Sequence, residues 1–213
     1  MPAQPPSSSA ARPRSHERVP LTTLAIPLGL AGLAQLWSLS TSVLGAPYGL
    51  AQAFWSIAAL AWGWTVVAHL HRGSRTDHRL RDQLTHLAQG PLAALLPISA
   101  MLLGAGLHHT WPTAGTVIVL LAIVAAAGFG AWMTAFWMRG DLPLESVHGG
   151  YYLPISAAGL VGALSAGQAG VRWLAVGCFA VGCFFWLLTT VVLFLRLALR
   201  PAMPAALVPT LAS

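Results

Sequence analysis

The sequence predicts an all-α membrane protein with about six transmembrane helices. Of its 213 residues, 56% are hydrophobic and only 8% are charged, whereas a soluble domain carries about a quarter charged residues. Apolar stretches recur with almost no charge inside them, and each is close to the roughly 20 residues that a helix needs to cross the hydrocarbon core. These observations exclude an ordinary water-soluble domain.

The apolar stretches divide the chain into a tail and a transmembrane domain. Residues 1–18 are rich in Pro, Ser and Ala, a composition too poor in large apolar side chains to bury a core. We expect a disordered cytoplasmic tail there, followed by a transmembrane domain over 19–200. The predicted helices lie at about 21–43, 49–70, 90–107, 113–138, 150–167 and 173–198.

Link lengths group the six predicted helices into three hairpins. The links at 44–48, 108–112 and 168–172 are short and contain Gly, Pro or polar residues, which favour turns. The links between the pairs are longer and charged. One hairpin is therefore the predicted repeating unit.

The arginines predict the orientation. All eleven basic residues are Arg, and only Arg172 falls on the side opposite to the tail. Because short cytoplasmic loops accumulate Arg, the N-terminus is predicted to lie in the cytoplasm. The arginines form no stripe interleaved with aromatic side chains, so the composition does not favour a nucleic-acid partner.

Aromatic side chains distinguish the odd from the even helices. All seven Phe and seven of the nine Trp lie in the predicted even helices, and the odd helices are rich in Gly, Ala, Ser and Pro. Small residues allow close helix approach, while bulky aromatic residues suit lipid. We expect an inner ring of odd helices and an outer ring of even ones.

One proline recurs near the start of each odd helix, at Pro27, Pro97 and Pro154. Proline removes a helical hydrogen bond and clashes with the carbonyl four residues earlier, so each helix should be kinked there. In a membrane, such backbone is tolerated where protein or a water-filled cavity covers it. A single proline is better explained by packing alone, but three at matched positions favour a conduit.

The conduit hypothesis predicts which residues line it. The candidate pore-lining and kink residues are Pro27, Gly29, Gly32, Pro97, Ser99, Pro154, Ser156 and Gly159. The side chains that could donate hydrogen bonds to a passing ion are Ser99 and Ser156, with Thr22, Thr23 and Gln35 as further candidates.

The absence of charge within the predicted spans limits the mechanism. Proton-coupled carriers keep a titrating group inside the membrane, and we expect no buried charge here, so a passive path for an anion is favoured. The chain has no nucleophile-elbow or metalloprotease motif, and we predict no enzyme activity, no cofactor and no metal. His148 is the best candidate for pH sensing, although an interface role is the simpler interpretation. A scaffold or sensor subunit that transports nothing is the alternative.

The hairpin repeat and two segments, Ile-Pro27-Leu-Gly-Leu-Ala-Gly-Leu and Gly-Tyr-Tyr-Leu-Pro154, resemble the tellurite-resistance/dicarboxylate transporter family. That family includes slow anion channels, malate permeases and sulfite exporters. The resemblance extends over roughly residues 18–213. It implies that a small anion, namely a dicarboxylate, sulfite, a tellurite-type oxyanion or halide, is transported across the lipid bilayer.

The same resemblance implies a larger assembly than three hairpins. Family members look like ten helices in five hairpins, with the five inner helices around a pore and three subunits per assembly. Residues 201–213 resemble the truncated start of a fourth hairpin. We therefore expect an N-terminal fragment of a homotrimeric protein, with the residue that closes the pore beyond Ser213.

Overall fold

The chain is an all-α protein over the residues that its computed structural model describes, which are 19–75, 80–140 and 142–201. No strand occurs in these ranges, so the predicted fold class is confirmed. The predicted tail, 1–18, and residues 202–213, where a fourth hairpin is expected to start, lie outside the described residues.

Seven α-helices and five shorter helical segments make up the described chain. The α-helices are α1 (Ala25–Leu44), α2 (Tyr48–Gly73), α3 (Leu80–Leu84), α4 (Leu95–His108), α5 (Pro112–Trp137), α6 (Ala158–Gln168) and α7 (Arg172–Leu199). Four 3-10 helices cover Leu21–Leu24, Gly90–Ala94, Leu144–Ser146 and Gly149–Tyr152, and a π-helix covers Leu153–Ala157.

Five helical stretches among the described residues are long and apolar enough to cross a bilayer. They are Leu21–Leu44, Tyr48–Gly73, Gly90–His108, Pro112–Trp137 and Arg172–Leu199. The segment predicted as the fifth of six spans, 150–167, is instead divided between a 3-10 helix, the π-helix and α6, which has 11 residues.

Pro154 provides a physical reason for this division. It has no N–H with which to continue an α-helix, and the N–H of Ala158 donates to the carbonyl of Leu153, five residues back. A hydrogen bond that reaches five residues back defines a π-helix, which usually occurs as a single wider turn within or beside an α-helix. The backbone therefore remains helical across Pro154 but changes its type.

The helices predicted to be odd, α1, α4 and α6, form a row, and each has one of the helices predicted to be even packed along it. α4 contacts α1 on one side and α6 on the other, while α2, α5 and α7 pack along α1, α4 and α6 respectively. The short links after α1 and α6 turn at Gly45 and Gly170, whose φ angles are 70° and 78°, a conformation that glycine adopts without steric cost.

Burial is highest for the middle helix of this row and lowest for α2 and α7, while Leu21–Leu44 and Pro112–Trp137 are equal at 28%. In the most apolar window of each span, 56% of the residues are buried for Gly90–His108 but only 11% for α2 and for α7. The exposed surface of α2 and α7 includes large apolar side chains such as Trp64, Trp173 and Phe194. An apolar surface of this extent suits lipid rather than water.

Candidate functional site

A short irregular helix precedes each of the three helices predicted to be odd, which are α1, α4 and α6. The 3-10 helices Leu21–Leu24 and Gly90–Ala94 lead into α1 and α4, and the π-helix Leu153–Ala157 leads into α6. The segment Leu21–Leu24 packs against Gly90–Ala94, which in turn packs against the π-helix. The structure therefore brings the three irregular segments together at the same end of α1, α4 and α6.

Leucine side chains join these three starts. Leu21, Leu24 and Leu95 form a buried cluster against which Leu153 packs. Leu28, one turn into α1, also packs against this cluster. Each of the three segments thus contributes at least one apolar side chain to the contact that holds them in register.

The three prolines lie within or directly after these starts. Pro27 and Pro97 are each the third residue of their α-helix, and Pro154 is the second residue of the π-helix. Pro27 and Pro154 are buried and Pro97 is half-buried. A proline ring blocks the hydrogen bond to the carbonyl four residues earlier, and the carbonyls concerned, those of Thr23, Ala93 and Gly150, each lie in a 3-10 helix.

The two candidate serines have different hydrogen-bonding states. The Ser99 hydroxyl donates to the carbonyl oxygen of Leu95 at 2.7 Å. The Ser156 hydroxyl is also buried but has no partner among the described residues. Only Ser156 therefore keeps an unused donor.

The other candidate donors also differ in whether their side chains have a hydrogen-bond partner. Thr23 Oγ1 donates to the carbonyl oxygen of Pro20 at 2.8 Å. Within the described ranges no side-chain hydrogen bond involves Thr22, which is exposed, or Gln35, which is half-buried. Thr22 and Gln35 could therefore donate to a ligand.

The three candidate glycines lie in two kinds of environment. A Cβ placed on Gly29 or Gly32 would meet no atom within 4 Å, so both face open space beside α1. A Cβ on Gly159 would lie 2.7 Å from the Cα of Gly182, which places Gly159 on the face of α6 that packs against α7. The structure does not bring Gly159 together with Gly29 and Gly32.

Arg196 is a feature that the sequence did not predict. The prediction that the spans contain no buried charge is wrong for Arg196, which is only 2% exposed within Arg172–Leu199. Its Nη2 donates to the carbonyl oxygen of Glu145 at 3.5 Å, and its Nε has no partner among the described residues. The Glu145 carboxylate pairs with Arg200 at 2.8 Å. The spacing of Arg196 and Arg200, one helical turn apart, is the signal that could have suggested a shared contact.

His148 lies just before the 3-10 helix that leads into α6. It is 1% exposed, its Nδ1 accepts a hydrogen bond from the Gly150 N–H at 3.1 Å, and its ring meets the Tyr151 ring edge to face at 5.1 Å. Burial lowers the pKa of His148, and its Nε2 has no hydrogen-bond partner among the described residues. Its neutral form is therefore favoured in the folded protein.

The described residues contain no group of three His, Cys, Asp or Glu side chains placed to hold a metal ion. Among the described residues, the site consists of backbone turns, small residues and a few uncharged hydrogen-bond donors.

Two comparisons with known proteins place the chain among relatives. A family model described as voltage-dependent anion channel matches residues 18–212. A tellurite resistance protein TehA homolog of Haemophilus influenzae is 24% identical over 187 residues, which cover 87% of this chain and 57% of that protein. The chain therefore spans a little over half the length of that relative. With a match over nearly all of its residues and five apolar spans, the chain is an integral membrane protein that belongs to the voltage-dependent anion channel family.

Proposed function

We propose that the chain contributes α1, α4 and α6 to a transmembrane path for small anions. The observation that carries this proposal is the row formed by α1, α4 and α6, whose irregular starts pack side by side and each have a proline within or just after them. Irregular backbone at membrane depth is typical of segments that are covered by protein or line a cavity. Family membership supports an anion as the transported species, and the candidates are a dicarboxylate, sulfite, a tellurite-type oxyanion or halide.

The open face of α1 is our candidate for the wall of the path. Gly29 and Gly32 leave space beside the helix, and the Gln35 side chain has no hydrogen-bond partner among the described residues. At the other end of the row, α6 exposes Leu160 and Leu164. A wall of glycine, one amide and leucine carries no charge, so we expect weak selectivity and a barrier to ions where the wall is apolar.

We also propose how the chain is assembled and oriented in the membrane. The exposed edges of α1 and α6 are where further inner helices would complete a ring, and a homotrimer embedded in lipid is the assembly that we propose. We propose that the chain lies in the bacterial inner membrane with its N-terminus in the cytoplasm, and the distribution of Arg supports this orientation. We assign no enzyme activity, because the candidate site offers neither a nucleophile beside a base nor a carboxylate pair.

A scaffold or sensor subunit that transports nothing is the second candidate. The burial of His148 beside the start of α6 favours it, because a titrating side chain at a helix start can couple protonation to packing. Measured anion flux distinguishes this candidate from the first.

Reconstitution in liposomes tests the proposed path. We would measure efflux of chloride, sulfite and malate from liposomes that contain the protein, with protein-free liposomes as the reference. Gly32→Phe places a ring into the open face of α1, and we expect it to lower flux about tenfold, equivalent to about 1.4 kcal/mol in the barrier. The matched control is Gly177→Phe, because Gly177 on α7 also has nothing within 4 Å.

Three results are distinguishable in that experiment. A loss of flux with Gly32→Phe but not with Gly177→Phe supports the path along α1. Equal losses would contradict this location. If well-folded protein passes none of the three anions, the scaffold or sensor becomes the better assignment.

A further inference from the structure

A groove of about 900 Å³ lies between the first two hairpins, and Ser38, Thr41 and Ser42 near the end of α1 are part of its lining. α4 contributes Ala100 and Leu103, α2 contributes one wall, and Ile118 of α5 lies at the other side. This volume is at the upper end of the range for small-molecule sites, which is roughly 300–1,000 Å³. The groove is thus large enough for an extended ligand.

Trp55 and Gly106 define one side of the groove. A Cβ on Gly106 would lie 2.7 Å from the Trp55 ring, so the glycine allows the indole to pack directly on α4. Trp55 Nε1 donates to Ser38 Oγ at 2.9 Å, and Ser38 Oγ donates to the carbonyl oxygen of Ala34 at 2.9 Å. These groups are mutually satisfied, and they form a fixed wall.

One end of the groove is polar. It lies at the links that join α1 to α2 and α4 to α5, and its lining there includes Tyr48, Gln52, His109 and Thr110. The side chains of Gln52 and Ser56, one turn apart on α2, have no hydrogen-bond partner among the described residues. Polar groups are costly at membrane depth unless they are satisfied, so a polar occupant suits this end.

The other end is apolar and reaches toward the middle of the bilayer. Ala59 and Trp62 continue the lining along α2, and the Trp62 indole N–H is already donated to the carbonyl oxygen of Leu96 at 3.1 Å. The stretch from Tyr48 to Trp62 extends about 21 Å at 1.5 Å per residue, and half of the hydrocarbon core is about 15 Å. The groove therefore changes from polar to apolar along the direction of the membrane normal.

We propose that this groove binds one phospholipid from the leaflet at the end where α2 begins. The headgroup lies against Gln52 and Thr110, and an acyl chain runs over Ala59 and Leu103. The lining includes no Asp, Glu, Lys or Arg, so recognition depends on hydrogen bonds to the head and apolar contact with the chain. A soluble anion fits less well, because the groove offers no cation and half of it is apolar. This inference is independent of the proposed anion path.

Native mass spectrometry of the purified chain with dioleoyl phosphatidylethanolamine tests the proposal. We expect one tightly bound lipid per chain. Ala59→Trp fills the groove and should weaken lipid binding at least about tenfold, whereas loss of one neutral hydrogen bond in Gln52→Leu should weaken it about two- to tenfold. The matched control, Ala53→Trp, adds the same bulk at an exposed position of α2 outside the groove and should bind lipid like the unmodified chain.

Several outcomes would overturn the proposal. One is lipid binding that is unchanged in Gln52→Leu or in well-folded Ala59→Trp. Another is an equal loss in Ala59→Trp and Ala53→Trp. If Ala59→Trp changes the oligomeric mass but not the bound lipid, a second copy covers the groove instead. Gln52→Leu adds no bulk, so it decides the question even if the tryptophan variant does not fold.

Discussion

Gly159 of α6 and Gly182 of α7 bring two helix backbones into direct contact. A Cβ on Gly159 would lie 2.7 Å from the Cα of Gly182, and a Cβ on Gly182 would lie 2.8 Å from the backbone nitrogen of Leu160. Between membrane helices the hydrophobic effect does not drive association, so the dispersion contacts made at such close approach become important for stability. The short α6 is therefore held to the long α7 by two facing glycines.

Gly159→Ala should destabilise the protein. The added methyl group cannot fit without separating the helices, and overpacking of this kind costs about 1–3 kcal/mol. We expect a lower unfolding temperature in detergent, followed by circular dichroism. Gly177→Ala is the matched control on α7, where a Cβ meets nothing within 4 Å, and it should leave stability unchanged or slightly raised, since alanine favours helix. Equal losses in both variants would contradict the contact.

Arg196 should contribute to stability through its volume rather than its charge. Its only hydrogen bond in the described structure is 3.5 Å long, while its Nε is buried without a described partner. Because desolvation of a buried charge can exceed what it gains, Arg196→Met should be neutral or stabilising. Arg196→Ala leaves a cavity and should cost about 2–5 kcal/mol, as other large-to-small substitutions do.

Chemical unfolding of the two variants distinguishes charge from volume. If Arg196→Met destabilises the protein as much as Arg196→Ala, the guanidinium itself holds the loop at Glu145, and the packing explanation is wrong. Arg200→Met is a useful reference, because the Arg200–Glu145 pair is about half exposed, and exposed pairs contribute little.

His148 predicts that acid weakens the fold. Its pKa is lowered from 6.5 in the folded protein, chiefly by burial, so the unfolded chain binds the proton more readily. The stability associated with neutral His148 is fully present above pH 6.5, and it decreases as the pH falls from that value through the lower folded pKa. The Tyr151 ring that faces His148 is uncharged in this range.

Unfolding temperatures between about pH 8 and about pH 5, the range in which histidine titrates, check this prediction. His148→Gln should flatten the acid-side decrease, whereas His71→Gln, at an exposed position, should retain it. An unchanged slope in His148→Gln would show that another group titrates on unfolding.

The all-α membrane fold could be predicted because it depends on local composition. Apolar length and the scarcity of charge determine whether a segment crosses a bilayer, and both are properties of the sequence itself. The π-helix at Leu153–Ala157 depends instead on a distant partner. A Cβ on Gly130 would lie 2.8 Å from the Pro154 carbonyl oxygen, so the distorted turn fits only because α5 offers a glycine there.

The candidate site was harder to predict than the fold for a related reason. Glycine serves both close helix contact and open space, and the sequence alone does not distinguish Gly32 from Gly159. Only the position of Gly182 reveals that Gly159 lies against α7. The burial of Arg196 likewise depends on how the segment around Glu145 folds against α7, which no local pattern specifies.

The prolines supply the prediction that tests the division into inner and outer helices. Pro97→Ala restores an N–H near the 3-10 helix Gly90–Ala94 and should draw that turn into a regular α-helix. Trp132 on α5 contacts Phe129 and Phe136, with ring centroids 5.8 Å and 6.3 Å away, so Trp132→Ala alters an even helix. In the anion-efflux measurement we expect flux to fall about tenfold with Pro97→Ala, equivalent to about 1.4 kcal/mol, and much less with Trp132→Ala. Equal effects would count against odd helices as the lining, because lipid-side packing would then control flux as strongly as the proline-bearing starts.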